Sequence, residues 1–261
     1  MRFALYLVSA VSLCAQVPDL TLAEKEEFLR TAKVVSTKDS KTGITGTIRA
    51  TLSNGKLTHD AQIQTIDESK SRFEGSRGVE INFRDSYKFN IAGYRLGRLL
   101  GLNMIPPSVE RNYAGKSAAF TWWIDEVMFD EAARMRKKEA SPDTEKWNRE
   151  MNVVRIFDQL IANTDRNLGN LLITKNWDIW MIDHTRAFRI SKELLNAKNL
   201  VMCDRNFLAA MRKLDNATMR TAMANYITSS EISGILARRD KIVKFFEAGG
   251  EKALFTLESR P

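Results

Sequence analysis

The sequence predicts an α+β chain, β-rich in its first half and mainly helical in its second. Three observations carry this. Asn54-Gly55 separates two alternating stretches. A polar loop and a second short hairpin occupy 165–183. After Phe188 the apolar residues recur at helical spacing.

Thr21-Leu22-Ala23-Glu24 is a capping-box pattern, so 20–33 reads as a short amphipathic helix anchored by Phe28 and Leu29. A polar turn, 37–46, carries Gly43 and Gly46. Gly46 to Leu52 alternates, with Ile48, Ala50 and Leu52 on one face. Asn-Gly is the strongest two-residue hairpin signal. A two-residue turn sets Leu57, His59, Ala61 and Ile63 against that face and His59 opposite Ala50. His59 then reads as a packing residue.

Residues 85–100 read as a helix, with Phe89, Ala92, Leu96, Leu99 and Leu100 on its apolar side. Gly93, Gly97 and Gly101 are four apart, which predicts close approach of another backbone and a helix end at Gly101. Pro106-Pro107 prevents continuation. Ser108–Tyr113 and Ser117–Asp125 read as a strand pair turning through Gly115. The charged stretch 129–142 reads as a helix and an exposed connection, or as a basic patch for an acidic substrate. Trp147, Met151, Val154 and Ile161 mark a helix over 147–162. Helices are expected at 191–197, 206–214, 216–226 and 230–253, with Met202, Met211, Met219 and Met223 in their core.

The chemistry concentrates between Phe157 and Phe188. Asp165 opens the loop Asp165-Arg166-Asn167-Leu168-Gly169-Asn170. A hairpin follows, 171–173 and 179–182, ending on Asp183. The loop before a hairpin and the residue after it lie at the same end, so Asp165, Asn170 and Asp183 can converge. Asn170 and Asp183 supply oxygen ligands of the kind Mg²⁺ takes alongside waters and phosphates. Asp165 can accept a proton from an attacking hydroxyl. Metal ligands beside a base are the parts that phosphoryl transfer needs. The competing reading is a plain polar turn, since Asp, Asn and Gly are ordinary turn formers.

The chain has 261 residues and a net charge of +8, with 44% apolar and 28% charged residues, the composition of a globular protein. The charge suits anionic partners such as nucleotide phosphates, acidic lipid headgroups or acidic polymers, and equally an ordinary solvated surface. No basic run or zinc spacing marks a nucleic-acid binder, and none is expected as partner. Residues 1–15 (MRFALYLVSAVSLCA) have the shape of a signal peptide and are too short to span a bilayer. Export to the periplasm or exterior follows if that segment is cleaved. The alternative is an apolar segment docked on a cytoplasmic protein. No transmembrane helix is expected, and a monomer is. Cys203 would remain as the single thiol, unable to form an internal disulfide.

These motifs resemble a known group. The order and the Asp-to-Asn spacing are those of the protein-kinase catalytic loop and metal segment, without His-Arg-Asp or Asp-Phe-Gly. Asn163-Thr164-Asp165-Arg166 with Asn170, then Ile182-Asp183 with Ala187-Phe188, looks like the corresponding segments of type II phosphatidylinositol 4-kinases. It is similar also to secretory-pathway kinases and to bacterial toxin kinases. Residues 92–107 (AGYRLGRLLGLNMIPP) resemble the helix C to strand-four segment of the same atypical kinases.

The resemblance implies a two-lobed protein-kinase-like fold: a β-rich N-lobe with helix C, 16–128, and a helical C-lobe with the catalytic loop, 129–261. It implies ATP and Mg²⁺ as cofactors, an unknown small-molecule, lipid or protein hydroxyl as acceptor, and the hairpin at Asn54 as the roof of the nucleotide site. Asp165 is then the base, Asn170 and Asp183 the metal ligands, and Arg166 a loop organiser or phosphate contact. Leu172 and Ile182 line the adenine floor, and Trp123 and Ile124 approach the hinge. The expected strand-three Lys is Gln64 and the helix C Glu is Asn90. Phosphate contact then falls to Gln64 as a neutral donor or to another cation, Lys88 or Lys70, with Glu80 as a replacement carboxylate. His184-Thr185 replaces the Asn-Gly that follows the metal Asp in type II lipid kinases, which argues against a swinging metal loop. The alternatives to an active kinase are a pseudokinase that binds nucleotide or keeps only the fold, and a structural or surface-binding exported protein.

Overall fold

Thr21 starts the first helix with the capping box its sequence encodes: its hydroxyl accepts from the Glu24 N–H, and Glu24 accepts from the Thr21 N–H at 2.8 Å. This helix, α1 (Leu22–Thr31), buries Phe28 and Leu29, each worth about 1.5–3 kcal/mol against water. The computed structural model describes residues 20–39, 47–75, 78–258 and 260. The signal-like segment 1–15 and the glycine turn from 40 to 46 lie outside the described residues.

The elements that follow are β1 (Lys33–Asp39), β2 (Ile48–Ser53), β3 (Thr58–Gln64), β4 (Asp67–Gly75), β5 (Gly78–Ser86), α2 (Lys88–Leu99), β6 (Ser108–Tyr113) and β7 (Lys116–Trp122). Next come β8 (Val127–Asp130), α3 (Glu131–Lys137), α4 (Thr144–Ile161), β9 (Leu171–Thr174) and β10 (Ile179–Met181). The chain closes with β11 (Cys203–Asp204), α5 (Arg205–Lys213), α6 (Asn216–Met223), α7 (Ser229–Gly249) and β12 (Leu254–Phe255). The result is α+β in two lobes.

The N-terminal lobe is an antiparallel sheet of order β1-β2-β3-β7-β6. α1 covers one face, and Phe28, Leu52, Ile63, Phe120 and Trp122 share a core there. A second, larger core unites α2 with α4, α5, α6 and α7 through Phe89, Leu96, Phe157, Met211 and Ile235. α2 therefore belongs to the packing of the helical lobe while lying beside the sheet of the other. β8, β9 and β10 form a small antiparallel sheet between the lobes.

Four sequence readings are corrected. The Asn54-Gly55 turn is wider than two residues: Ser53 pairs Thr58, and Asn54 Oδ1 accepts from the N–H groups of Lys56 and Leu57 at 3.0 and 2.8 Å. His59 consequently faces Leu52, not Ala50. The slip is by an even number, so every side chain stays on its expected face. His59 is buried and stacks on Trp122 at 3.8 Å. Second, Lys33–Asp39 is a strand where a polar turn was expected from 37, and Asp67–Gly75 and Gly78–Ser86, which carried no reading, pair as an outer hairpin (β4–β5) whose residues are mostly exposed. Third, 191–197 is irregular, not helical. Fourth, Gly93 admits a side chain, not a backbone: a Cβ there would meet His184 Cγ at 3.2 Å.

Met211, Met219 and Met223 pack in the core as their spacing implies. Cys203 is buried in β11, just before α5, and burial together with Asp204 pushes its thiol up to about 12. Iodoacetamide should therefore leave Cys203 largely unmodified in the native protein and alkylate it quickly in urea, followed by peptide mass analysis. Rapid native labelling would show that this end of α5 opens.

Candidate functional site

The site is assembled around one guanidinium. α4 ends at Ala162 in the left-handed region, φ 47°, and the chain turns into the loop that starts at Asn163. Arg166 folds back beneath that loop. Its Nε and Nη2 donate to Asp158 at 2.9 and 3.1 Å. Its Nη1 donates to the carbonyls of Asn170 and Ile182 at 3.0 and 2.7 Å, and Nη2 also faces His184 Nε2 at 3.2 Å. Arg166 and Asp158 are 12% and 10% exposed. A guanidinium has five N–H donors, and these contacts occupy them. Arg166 is thus a loop organiser.

The same contacts bring the two ends of the β9–β10 hairpin together. The Ile182 N–H donates to the Asn170 carbonyl at 3.1 Å, and Asn170 Nδ2 approaches the Asp165 carbonyl at 3.4 Å. Asp165, Asn170 and Asp183 converge. Asp183 sits at φ 53°, a region that non-glycine residues seldom adopt. Burial raises its carboxyl above the ordinary value. Hydrogen bonds from Thr185 and the charge of Arg166 oppose that, and Asp165 adds to it. Arg186 Nη1 lies 3.7 Å from Asp165 Oδ1, so a cation faces this carboxylate.

Gln64 and Asn90 meet where a kinase would hold its Lys–Glu pair. Asn90 Nδ2 donates to Gln64 Oε1 at 2.5 Å, and Asn90 Oδ1 accepts from the His184 N–H at 2.7 Å. All three residues are buried. β3, α2 and the segment after β10 are joined through one amide side chain. His184 fills the space that Gly93 leaves, and burial first, then Arg166, drops its ring far below the ordinary 6.5.

The other sequence-chosen residues are placed as follows. Lys88 pairs with Asp67 at 2.8 Å, and Lys70 with Glu68 at 2.9 Å. Glu80 meets Arg186 at 2.6 Å and also pairs with Arg189, not with β3. Trp123 and buried Ile124 follow β7 as the chain leaves the sheet, and Arg49 stacks on Trp123 at 4.2 Å. Ile182 lines the cleft with Gln62, Asn90, Ile105, Pro106 and Thr121. Leu172 is not among the residues lining it; it pairs with Trp180 on the hairpin. The cavity there is about 10 Å³, room for about one water. A larger hollow of about 370 Å³ lies far from Asp165, beside Leu99, Ala210 and Leu214.

Gln62 and Arg186 were missed. Strand alternation from Gln64 places Gln62 on the same face, a signal that was readable. Arg186 carried none. Among the described residues no three His, Cys, Asp or Glu side chains gather to hold a metal ion. The donors present, Asp183 beside the amide of Asn170, are hard oxygens and suit a divalent cation that takes its other ligands from phosphate and water.

No family model and no curated protein matches the chain. Solved structures do. Hydra Fam20 with sugar is 14% identical, with a TM-score of 0.66 over 90% of this chain and 92% of that one. The Golgi casein kinase with Mn/ADP bound is 11% identical, with a TM-score of 0.62 over 92% and 80%. At such identities the likeness defines the fold. This is a two-lobed kinase-like fold.

Two outcomes follow. Asn90→Ala removes the hydrogen bonds to Gln64 Oε1 and from the buried His184 N–H, and leaving that N–H unmet costs about 1–3 kcal/mol. Urea unfolding should show a loss in that range or above, and an unchanged midpoint would refute the link. His184 gives a pH signature. Unfolded, it titrates near 6.5; folded, well below. Its contribution is intact above the unfolded value and lost as the pH falls beneath it, because only the unfolded chain takes the proton. The wild type should lose stability between about pH 7 and pH 5.5 more steeply than His184→Gln, by urea midpoints.

Proposed function

We propose that the protein is a phosphotransferase that moves the γ-phosphoryl group of Mg-ATP to a hydroxyl acceptor. The observation carrying this reading is the convergence of Asp165, Asn170 and Asp183 at one end of the hairpin, where Arg166 holds the carbonyls of Asn170 and Ile182 and the Asn170 amide reaches the Asp165 carbonyl. Nucleotide and divalent metal are brought to this chain by the Golgi casein kinase, which carries Mn/ADP.

Asp165 accepts the proton of the attacking hydroxyl as the new O–P bond forms and ADP leaves. Asp183 and Asn170 hold the metal, which when bound neutralises charge on the phosphate oxygens. Arg166 is spent on the loop and touches no phosphate. Lys88 is engaged by Asp67, so Gln64 gives phosphate a neutral donor. Gln62 and Thr121 set the polarity of the cleft walls, with Ile182 on the floor. The lobes part to admit nucleotide, since the cavity is about 10 Å³.

A second reading, a pseudokinase, is favoured by that narrow cleft and by the neutral Gln64–Asn90 pair. Mg-ATP consumption by the full chain separates the two. Wild type should turn over slowly and Asp165→Ala not at all. The double change Gln64→Lys with Asn90→Glu should raise the rate about ten- to a hundredfold, the worth of one charge-assisted phosphate contact of about 1.5–3 kcal/mol. Equal background in wild type and Asp165→Ala, with ATP bound by both, supports the pseudokinase. Neither binding nor turnover refutes both and leaves an exported binding or structural protein.

A further inference from the structure

Asp85 has no task in the reading above. It lies on β5, one residue before Ser86, whose N–H donates to the Thr185 carbonyl at 2.9 Å. That bond fixes Asp85 beside the segment carrying Asp183. Its side chain is 7% exposed, and Oδ1 has no hydrogen-bond partner among the described residues.

The Thr185 hydroxyl donates to Asp183 Oδ1 at 3.0 Å and interacts with the Asp85 carboxyl as well. A hydroxyl carries one proton and donates to one acceptor at a time. A buried carboxyl, Asp85, and a half-buried one, Asp183, therefore share one hydroxyl. The nearby cations are committed elsewhere: Arg84 to Glu231 at 2.6 Å, Lys88 to Asp67 at 2.8 Å and Arg186 to Glu80 at 2.6 Å. A buried carboxylate oxygen without a donor, as Asp85 Oδ1 is, is costly, and a hard divalent ion held with the Asp183 carboxylate would satisfy it.

We propose that Asp85 is a second carboxylate ligand, beside Asp183, for the divalent cation. The metal then ties the outer hairpin β4–β5 to the segment after β10. This rests on the reading of Asp183 as a metal ligand, and the test separates the two.

Mn²⁺ binding by the full chain is measured from the electron paramagnetic resonance of the free ion, with Mn²⁺ alone and with ADP added, in wild type, Asp85→Asn and Asp183→Asn. Urea midpoints without metal are taken alongside. Asp85→Asn should bind Mn²⁺ about 10–100-fold more weakly, while its metal-free form is at least as stable as wild type, because an amide replaces an unanswered carboxylate. Wild-type affinity in Asp85→Asn, with binding lost in Asp183→Asn, overturns the Asp85 assignment alone. No Mn²⁺ binding by the wild type overturns the Asp183 reading with it. Should Asp85→Asn fold poorly, Asp85→Ser is read by the same two measurements.

Discussion

The organisation of the site depends on the Arg166–Asp158 ion pair. Taking a guanidinium and a carboxylate out of water costs several kcal/mol per ion, and the pair recovers this only when the remaining donors are also satisfied. Here they are. Arg166 donates to two backbone carbonyls and faces a neutral His184 as well as Asp158. Each partner comes from a different segment: α4, the loop before β9, and the chain after β10. The cation acts as a fixed point to which three otherwise independent pieces are tied. Removing it would strand Asp158 and free both carbonyls, so the loop and the metal segment depend on a residue with no donor left for phosphate.

The second constraint is the neutral bridge. A Lys–Glu pair between strand three and helix C gives a kinase both a sheet-to-helix link and a phosphate cation. Gln64 and Asn90 keep the link without the cation. Amides carry no Born penalty, so the pair can remain buried in a closed cleft, where a lone Lys or Glu would be an uncompensated charge. Asn90 also uses its carbonyl on the His184 N–H, so a single side chain at the start of α2 registers the sheet against the metal segment. On the proposed phosphotransferase reading, electrostatic help for the phosphate then falls to the metal, with the outer hairpin offering a further ligand to it. Asp85 ends that hairpin.

Much of the site was legible because its parts are local: an acid, an amide and an acid around a hairpin whose register brings them to one end. The nearness of Gln64 and Asn90 was readable too, because the turn slip from Asn54 is even and leaves Gln64 on its expected face. The outer hairpin was not. From Asp67 to Gly75 nearly every residue is exposed and polar on both faces, so the strand has no alternation to display. Its stability comes from the Phe73–Phe83 stack at 4.2 Å and from Glu80 reaching Arg186 and Arg189, contacts that pair residues far apart in sequence. Residues 191–197 failed for the opposite reason. Their helical spacing is real but short, and buried Arg238 takes the carbonyls of Arg189 and Ser191 from outside, leaving no helix to close.

These constraints bear on Asp183 together. The residue is held at positive φ, a strain of about 1–3 kcal/mol that surroundings must sustain. On one side the Ile182 carbonyl is taken by Arg166; on the other the His184 N–H is taken by Asn90, and its ring is packed under Gly93. A glycine after the acid would release this conformation at little cost. A buried histidine cannot swing without opening the core between α2 and α4. Asp183 is therefore pre-positioned rather than switched, and on the proposed reading any closure that completes the site has to come from the other wall of the cleft: the sheet and its outer hairpin, moving against a C-terminal lobe that is already set.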